Sequence, residues 1–225
     1  MPLRLTNFAL RLYLHGGATH REEKMIRVLG KIPKKVNIAL SGGIDSMVAL
    51  DFLVSGRHDV TALYFNHNTE YGERCEDFLK NFCEKKNIQL KIGRLSKPIP
   101  KGASKEAFWR DERYSFLESA SDAPVITAHH LNDVMETWIF SSLNGNPKLI
   151  KHERGIFIRP FLMVPKSEIL SWAERKGVTW LEDPSNLSLE FNRNFIRHNI
   201  LPSALRVNPG LPKVMIKKLL AEYSS

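Results

Sequence analysis

Residues 41–46 read Ser-Gly-Gly-Ile-Asp-Ser, between the apolar run Val36–Leu40 and a helix-like stretch that begins at Asp45. Gly42 and Gly43 let backbone amides approach a phosphate closely, and the following helix points its positive end at the same place. Ser41 and Ser46 add hydroxyl groups. A kinase-type phosphate loop ends in a lysine that reaches the outer phosphates, and here Asp45 stands near that place. An acid beside polyphosphate repels it unless it holds a magnesium ion or caps the helix. The loop therefore suits a metal-bound pyrophosphate leaving group, with attack at the α-phosphate.

A second set lies in Thr127–Thr137, where His129, His130, Asn132, Asp133 and Glu136 crowd together. Asp133 and Glu136 are three apart, on one face at the start of a helix, where they can hold magnesium or an ammonium group. Neighbouring histidines on a strand point to opposite faces, and no third soft ligand accompanies them, so zinc is disfavoured. A third set, Glu106, Arg110 and Arg113, has helical spacings of four and three. It reads either as a salt-bridged surface face or as an arginine pair aimed at a nucleotide. Cys75 and Cys83 share a helical stripe with Phe78, Leu79 and Phe82 and read as core, and the chain contains no Cys-x-x-Cys pair.

These sets need elements to position them. Strands are expected over 36–40, 60–67, 88–95, 123–130 and 155–162, alternating with helices over 45–55, 73–87, 104–119, 132–145 and 165–177. That alternation predicts an α/β fold, a doubly wound parallel sheet covered on both faces. Ligands in such sheets bind beyond the carboxyl ends of the strands, where Ser41–Ser46, Phe65–Asn68 and Thr127–Asp133 converge. The chain from Phe191 reads as one or two basic helices split by Pro202 and Pro209.

Across 225 residues, 43% are hydrophobic and 25% charged, an ordinary globular composition with no run long enough to span a bilayer. The N-terminal stretch is interrupted by Arg4 and Arg11, which argues against a secretion signal and leaves the cytoplasm as the expected location. The net charge of +9 is uneven: residues 1–35 carry eight Lys/Arg against two acids, and residues 191–225 carry six against one. Three parts are expected: a basic lead-in (1–35), a catalytic body (36–190) and a basic helical extension (191–225). The basic ends suit a polyanion, and Lys31, Lys34 and Lys35 are expected to contribute phosphate contacts.

The loop at Ser41–Ser46 resembles that of the PP-loop, or N-type, ATP pyrophosphatase superfamily. With Thr127–Thr137, Arg159–Leu162, Glu182–Asn186 and Arg193–Pro202 in the same order, the chain is similar to the tRNA(Ile)-lysidine synthetase family from about residue 36 to 205. The resemblance implies use of ATP and Mg2+ to adenylate the C2 oxygen of the wobble cytidine in a CAU-anticodon tRNA of the isoleucine type. The amine of free L-lysine then displaces AMP. Carried over, Ser41, Gly42, Gly43, Asp45 and Ser46 would bind ATP, with Asp45 on the metal. Asp45, Arg113, His130, Asp133 and Glu136 would be catalytic. Arg110, Asp183, Asn186, Arg193, Asn194 and Arg197 would meet substrate or tRNA. No membrane is implied, and the oligomeric state is left open, a dimer among the options.

The chain departs from that family at Asn132, where an acid is usual, and in the stretches Phe65–Arg74 and Ser142–Pro147, which lose basic character. It is also short for the family, and the resemblance implies a short form, expected to be without the C-terminal domains many members carry. Two other functions fit the same loop: a tRNA thiolase, which needs a reactive cysteine or cluster, and a tRNA-binding protein without turnover.

Overall fold

Val36, Ile38 and Leu40 line one side of a strand buried within a parallel sheet and Asn37 and Ala39 the other, and together they form all but the first residue of β1 (Lys35–Leu40). The structure, a computed structural model, describes residues 26–184 and 192–224. After β1 come α1 (Ile44–Ser55), β2 (Asp59–Asn66), α2 (Glu70–Lys85), β3 (Gln89–Arg94), α3 (Lys105–Ala120), β4 (Val125–Ile126) and α4 (Leu131–Leu143). A short hairpin of β5 (Glu153–Arg154) and β6 (Phe157–Ile158) leads through a 3-10 turn (Pro160–Met163) into α5 (Lys166–Lys176). The C-terminal part comprises α6 (Asn192–Phe195), a π-helical stretch (Ile196–Ile200), α7 (Leu201–Val207) and α8 (Leu211–Tyr223).

The sheet order is β3-β2-β1-β4-β6-β5, parallel throughout except for the β5–β6 hairpin. Side chains alternate across it. Val36, Ile38 and Leu40, with Ala62 and Tyr64, join α1, α2 and α5 in one buried layer. Leu63, Val125 and Phe157 pack with Leu117 of α3 on the other side, with Ala39 against them. The sheet is therefore doubly wound, as the alternation predicts. Because β1 pairs with β2 on one side and β4 on the other, the strand order reverses between β1 and β4. Crevices form at such a switch point.

Three expectations change. The strand expected over 123–130 is confined to Val125–Ile126. Thr127 still donates to Ile158 O, but the chain then runs out extended to His130. The strand expected over 155–162 stops at Ile158, because Pro160 starts the 3-10 turn. Pro202 does not split the C-terminal helix. The Leu201 amide bonds to Ile196 O in an i→i−5 turn just before it, so the ladder shifts register and continues, and the break comes at Asn208–Gly210. The C-terminal helices pack firmly: Ile196, Leu201, Leu211, Met215 and Leu219 share a buried cluster with Leu131, Val134, Met135 and Ile139 of α4.

Candidate active site at the carboxyl edge of the sheet

The loop after β1 is held by its own hydroxyls. Ser46 Oγ donates to Gly43 O (2.9 Å) and accepts from the Ser41 amide (3.1 Å), while Ser41 Oγ lies 3.2 Å away. Gly42 sits at φ +73°, and a Cβ there would collide with Cys75 Sγ. Glycine is thus required by conformation and by the thiol of α2 behind it. Gly43, the N-cap of α1, offers no side chain to its first turn. The amides there are left to an anion. Leu181 N donates to Gly42 O (2.9 Å), tying the loop to the segment that carries Asp183.

Asp45, in the first turn of α1, meets two cationic or ionisable partners on Oδ1: Lys166 Nζ at 2.5 Å and His130 Nε2 at 3.4 Å. Burial opposes its charge, but the hydrogen bond and charge of His130, then those of Lys166, outweigh it and hold the carboxyl well below the usual range. Lys166 was not among the expected site residues. It is the first residue of α5, where a cation opposes the helix dipole, and that misplacement was the available signal. Its tie to Asp45 also packs α5 against the loop.

His130 is the N-cap of α4 and is buried. The Asn132 amide donates to its Nδ1 (3.2 Å), and the His130 amide donates to Asp133 Oδ2 (2.8 Å). With Nδ1 accepting from that amide, the ring proton lies on Nε2, toward Asp45. Asn132, the departure from the family's acid, accepts the Lys166 amide through Oδ1 (3.2 Å). This contact needs only an acceptor oxygen, which an amide supplies as well as a carboxylate.

Asp133 and Glu136 project from one face of α4, as their spacing predicts, and meet Arg197. Its Nε and Nη2 donate to Glu136 Oε1 and Oε2 (2.7 and 2.9 Å), a bidentate pair, and Nη2 reaches Asp133 Oδ1 at 3.3 Å. Burial opposes the Arg197 charge, yet the bonds and charges of Glu136 and Asp133 prevail and raise its pKa. Arg197 lies within the π-helical stretch, a distortion common at functional sites.

A cleft of about 180 Å3 opens between these elements, lined by Ser41, Asp45 and Ser46, by Arg113 and Tyr114 of α3, and by His129 and Asp133. Burial pushes the His129 ring down to about 4, with Asp133 opposing and Arg159, Arg193 and Arg113 assisting. Its Nδ1 lies 2.9 Å from Thr127 Oγ1. The cavity wall thus receives His129, whereas the expected catalytic residue, His130, lies beneath the loop. Arg110 is exposed and reaches the Tyr114 ring, 5.6 Å from its centroid, without lining the cleft. Glu136 is buried behind Asp133 rather than on the wall.

Asp183 acts electrostatically on Tyr71 and Cys75, which places it on the far side of the loop. Arg193 is exposed near His129, and Asn194 is half-buried beside it on α6. Asn186 lies outside the described residues. Both cysteines are buried and free, and burial raises both thiols, Cys83 to about 11. Among the described residues no three His, Cys, Asp or Glu side chains cluster to hold a metal, and no helix is long and apolar enough to cross a membrane.

A family model described as "PP-loop domain" matches residues 18–204. Among curated proteins, the chain is 34% identical over 190 residues to a tRNA(Ile)-lysidine synthase of Thermotoga sp. (strain RQ2), covering 77% of the chain and 46% of that protein. It is 36% identical over 196 residues to the tRNA(Ile)-lysidine synthase of Persephonella marina, covering 79% and 43%. The chain thus spans less than half the length of these relatives. Among solved structures, an NH3-dependent NAD synthetase from Campylobacter jejuni aligns with a TM-score of 0.47 at 19% identity, covering 85% and 87% of the two chains. With the match running from before β1 into α7, through the loop, the cleft and the Arg197 clamp, the chain belongs to the PP-loop domain family.

Proposed function

We propose that this chain carries the catalytic centre of a tRNA(Ile)-lysidine synthetase. In this reading ATP lies in the cleft with its phosphates on the uncapped start of α1, and the wobble cytidine of a CAU-anticodon tRNA enters beside it. The C2 oxygen attacks the α-phosphorus, the α–β bond breaks, and pyrophosphate leaves. The lysine amine, its proton lost, then attacks C2. The C2–O bond breaks, and AMP departs to leave lysidine.

Amides of the Gly42–Asp45 loop and Arg113 at the cleft lip would balance the charge that gathers on the α-phosphate. Asp45 fits a role at the metal: both its contacts fall on Oδ1, and Mg2+ is commonly held by one or two carboxylates together with substrate phosphates. The ion would supply Lewis-acid stabilisation of the phosphates. Asp133, on the cleft wall and only loosely held by Arg197, would take the lysine ammonium, while Glu136 anchors Arg197.

What carries this reading is one shared wall. A loop built for pyrophosphate and an acid suited to an amine face the same cleft, in a chain similar over most of its length to lysidine synthases. Sulfur transfer is disfavoured because both thiols are buried with raised pKa values. The test is nucleoside mass spectrometry of a CAU-anticodon tRNA incubated with ATP, lysine and the protein. Lysidine is expected, with its loss in Asp45→Asn. Pyrophosphate release without lysidine, or tRNA binding without pyrophosphate release, would overturn the assignment.

A further inference from the structure

One cluster lies outside the cleft and has no part in the chemistry above. His67, at the carboxyl end of β2, stacks on Trp109 of α3, with centroids 4.7 Å apart and planes 17° from parallel. Burial, helped by the charge of Arg113, pushes the His67 ring down to about 4, so the pair is a neutral aromatic stack at physiological pH. Lys105 Nζ sits 4.3 Å from the Trp109 centroid. His67 Nδ1 and Trp109 Nε1 are both buried with no hydrogen-bond partner among the described residues. Neither nitrogen ties the stack to the rest of the fold, so the pair is held by ring contact alone.

The position is informative. Lys105, Trp109 and Arg113 recur every four residues and so lie along one stripe of α3. Arg113 ends that stripe at the cleft lip. The other end continues into Arg94–Lys105, which holds four cations and no acid. Arg94 pairs with Glu73 and Glu76 (3.0 and 2.6 Å) and Lys97 with Glu112 (3.2 Å), whereas Lys101 is exposed on the loop. An aromatic ring among cations, leading away from a cleft proposed above to receive the wobble base, has the makeup of a track for unpaired nucleic acid. In such tracks bases stack on aromatic faces and phosphates pair with Lys and Arg.

We infer that the Trp109–His67 stack, flanked by Lys105 and Arg113, is a stacking platform for an unpaired RNA base next to the one in the cleft. Lys105 covers the ring while RNA is absent and moves to a phosphate when a base takes its place. His67 backs Trp109 and keeps the ring oriented. This inference rests on the RNA substrate proposed above and adds the part of the protein that receives the flanking nucleotide.

The experiment uses the full chain with two probes: a fluorescein-labelled RNA hairpin with a CAU-containing loop, and unstructured oligouridine. Trp109→Ala is expected to weaken binding of both by about tenfold or more, and Trp109→Phe to recover most of it. Lys105→Ala is expected to lose about threefold, as one phosphate contact would. ATP affinity is expected to stay within about twofold in all three variants. Circular dichroism melts identify a folding defect in Trp109→Ala, in which case Trp109→Phe carries the test through loss of the RNA-induced change in tryptophan fluorescence. Unchanged RNA affinity in folded Trp109→Ala overturns the platform, as does weakened ATP binding with RNA binding intact, or, where Trp109→Ala does not fold, an RNA-induced fluorescence change that persists in Trp109→Phe. If the wild type forms lysidine while folded Trp109→Ala binds RNA normally, only the platform fails. If oligouridine binding needs Trp109 but no lysidine forms, the platform stands and the proposed activity falls.

Discussion

Asp45 is held ionised by two neighbours, and each can be removed separately. Because its carboxyl lies well below the usual range, activity should show no loss attributable to Asp45 anywhere above pH 5. Asp45→Asn keeps the shape and removes the charge, and ATP–pyrophosphate exchange is expected to fall about a hundredfold or more. Lys166→Met leaves the acid without its nearest cation, so the KM for magnesium-ATP should change more than kcat for the chemistry that follows. A drop in kcat alone would make Lys166 a group acting in the chemical step. His129 gives a separate test. Its ring is pushed down to about 4, so the unfolded chain binds the extra proton between pH 6.5 and 4, and stability is lost as pH falls through that window. Ring resonances of His129 should titrate near 4 in the folded protein. A midpoint near 6.5 would show that the ring is solvated rather than walled in.

Elements decide which of these residues meet, and here the sequence was only partly legible. The period of α4 placed Asp133 and Glu136 on one face, and the strand–loop–helix grammar placed Ser41–Ser46 at the mouth of β1. Neither pattern could show that Arg197, 61 positions after Glu136, returns to take its carboxylate, or that Lys166 crosses 121 positions to Asp45. Such pairs depend on the long-range packing of the C-terminal helices on α4 and of α5 on α1, which leaves no local period. The short β4 was unreadable for a related reason: no local signal marks where the chain after Thr127 leaves the ladder so that Ala128 and His129 line the cleft. The Arg197–Glu136 pair makes a measurable link between the two parts. Arg197→Ala strands a carboxylate that is nearly inaccessible to water, and a loss of about 3 kcal/mol in unfolding free energy is expected. Glu136→Gln in the same background should recover part of it. An additive double-mutant cycle would mean that the clamp contributes nothing to holding α6 and α7 on the body. Behind the loop, Gly42→Ala meets both a left-handed backbone and the Cys75 sulfur, so it should lose ATP binding as well as stability, while Cys75→Ser keeps the bond to Ser41 O and is expected to remain active.

At the scale of the whole molecule, the position of charge matters more than its amount. The sequence suggests that both basic ends grip a polyanion, and it singles out Lys31, Lys34 and Lys35. The fold sets these at the amino end of β1, opposite the edge that carries the cleft, and a six-residue strand separates the two edges by about 20 Å. Two of them also have other occupations: Lys34 donates to Arg57 O, and Lys35 pairs with Asp122 at 2.8 Å. Arg193, by contrast, is exposed on the cleft side, close enough to His129 to act on its charge. The two sets should therefore separate in salt titrations of hairpin RNA binding. Neutralising Lys31, Lys34 and Lys35 to Gln is expected to leave the affinity within about twofold and the salt slope unaltered, because that edge lies away from the cleft. Arg193→Gln, removing one phosphate contact, should flatten the slope of log K against log salt by roughly 0.7 to 0.9. A flattened slope in the lysine set with no change at Arg193 would put the RNA across the amino edge of the sheet, and the cleft would then have to receive its nucleotide from a different direction.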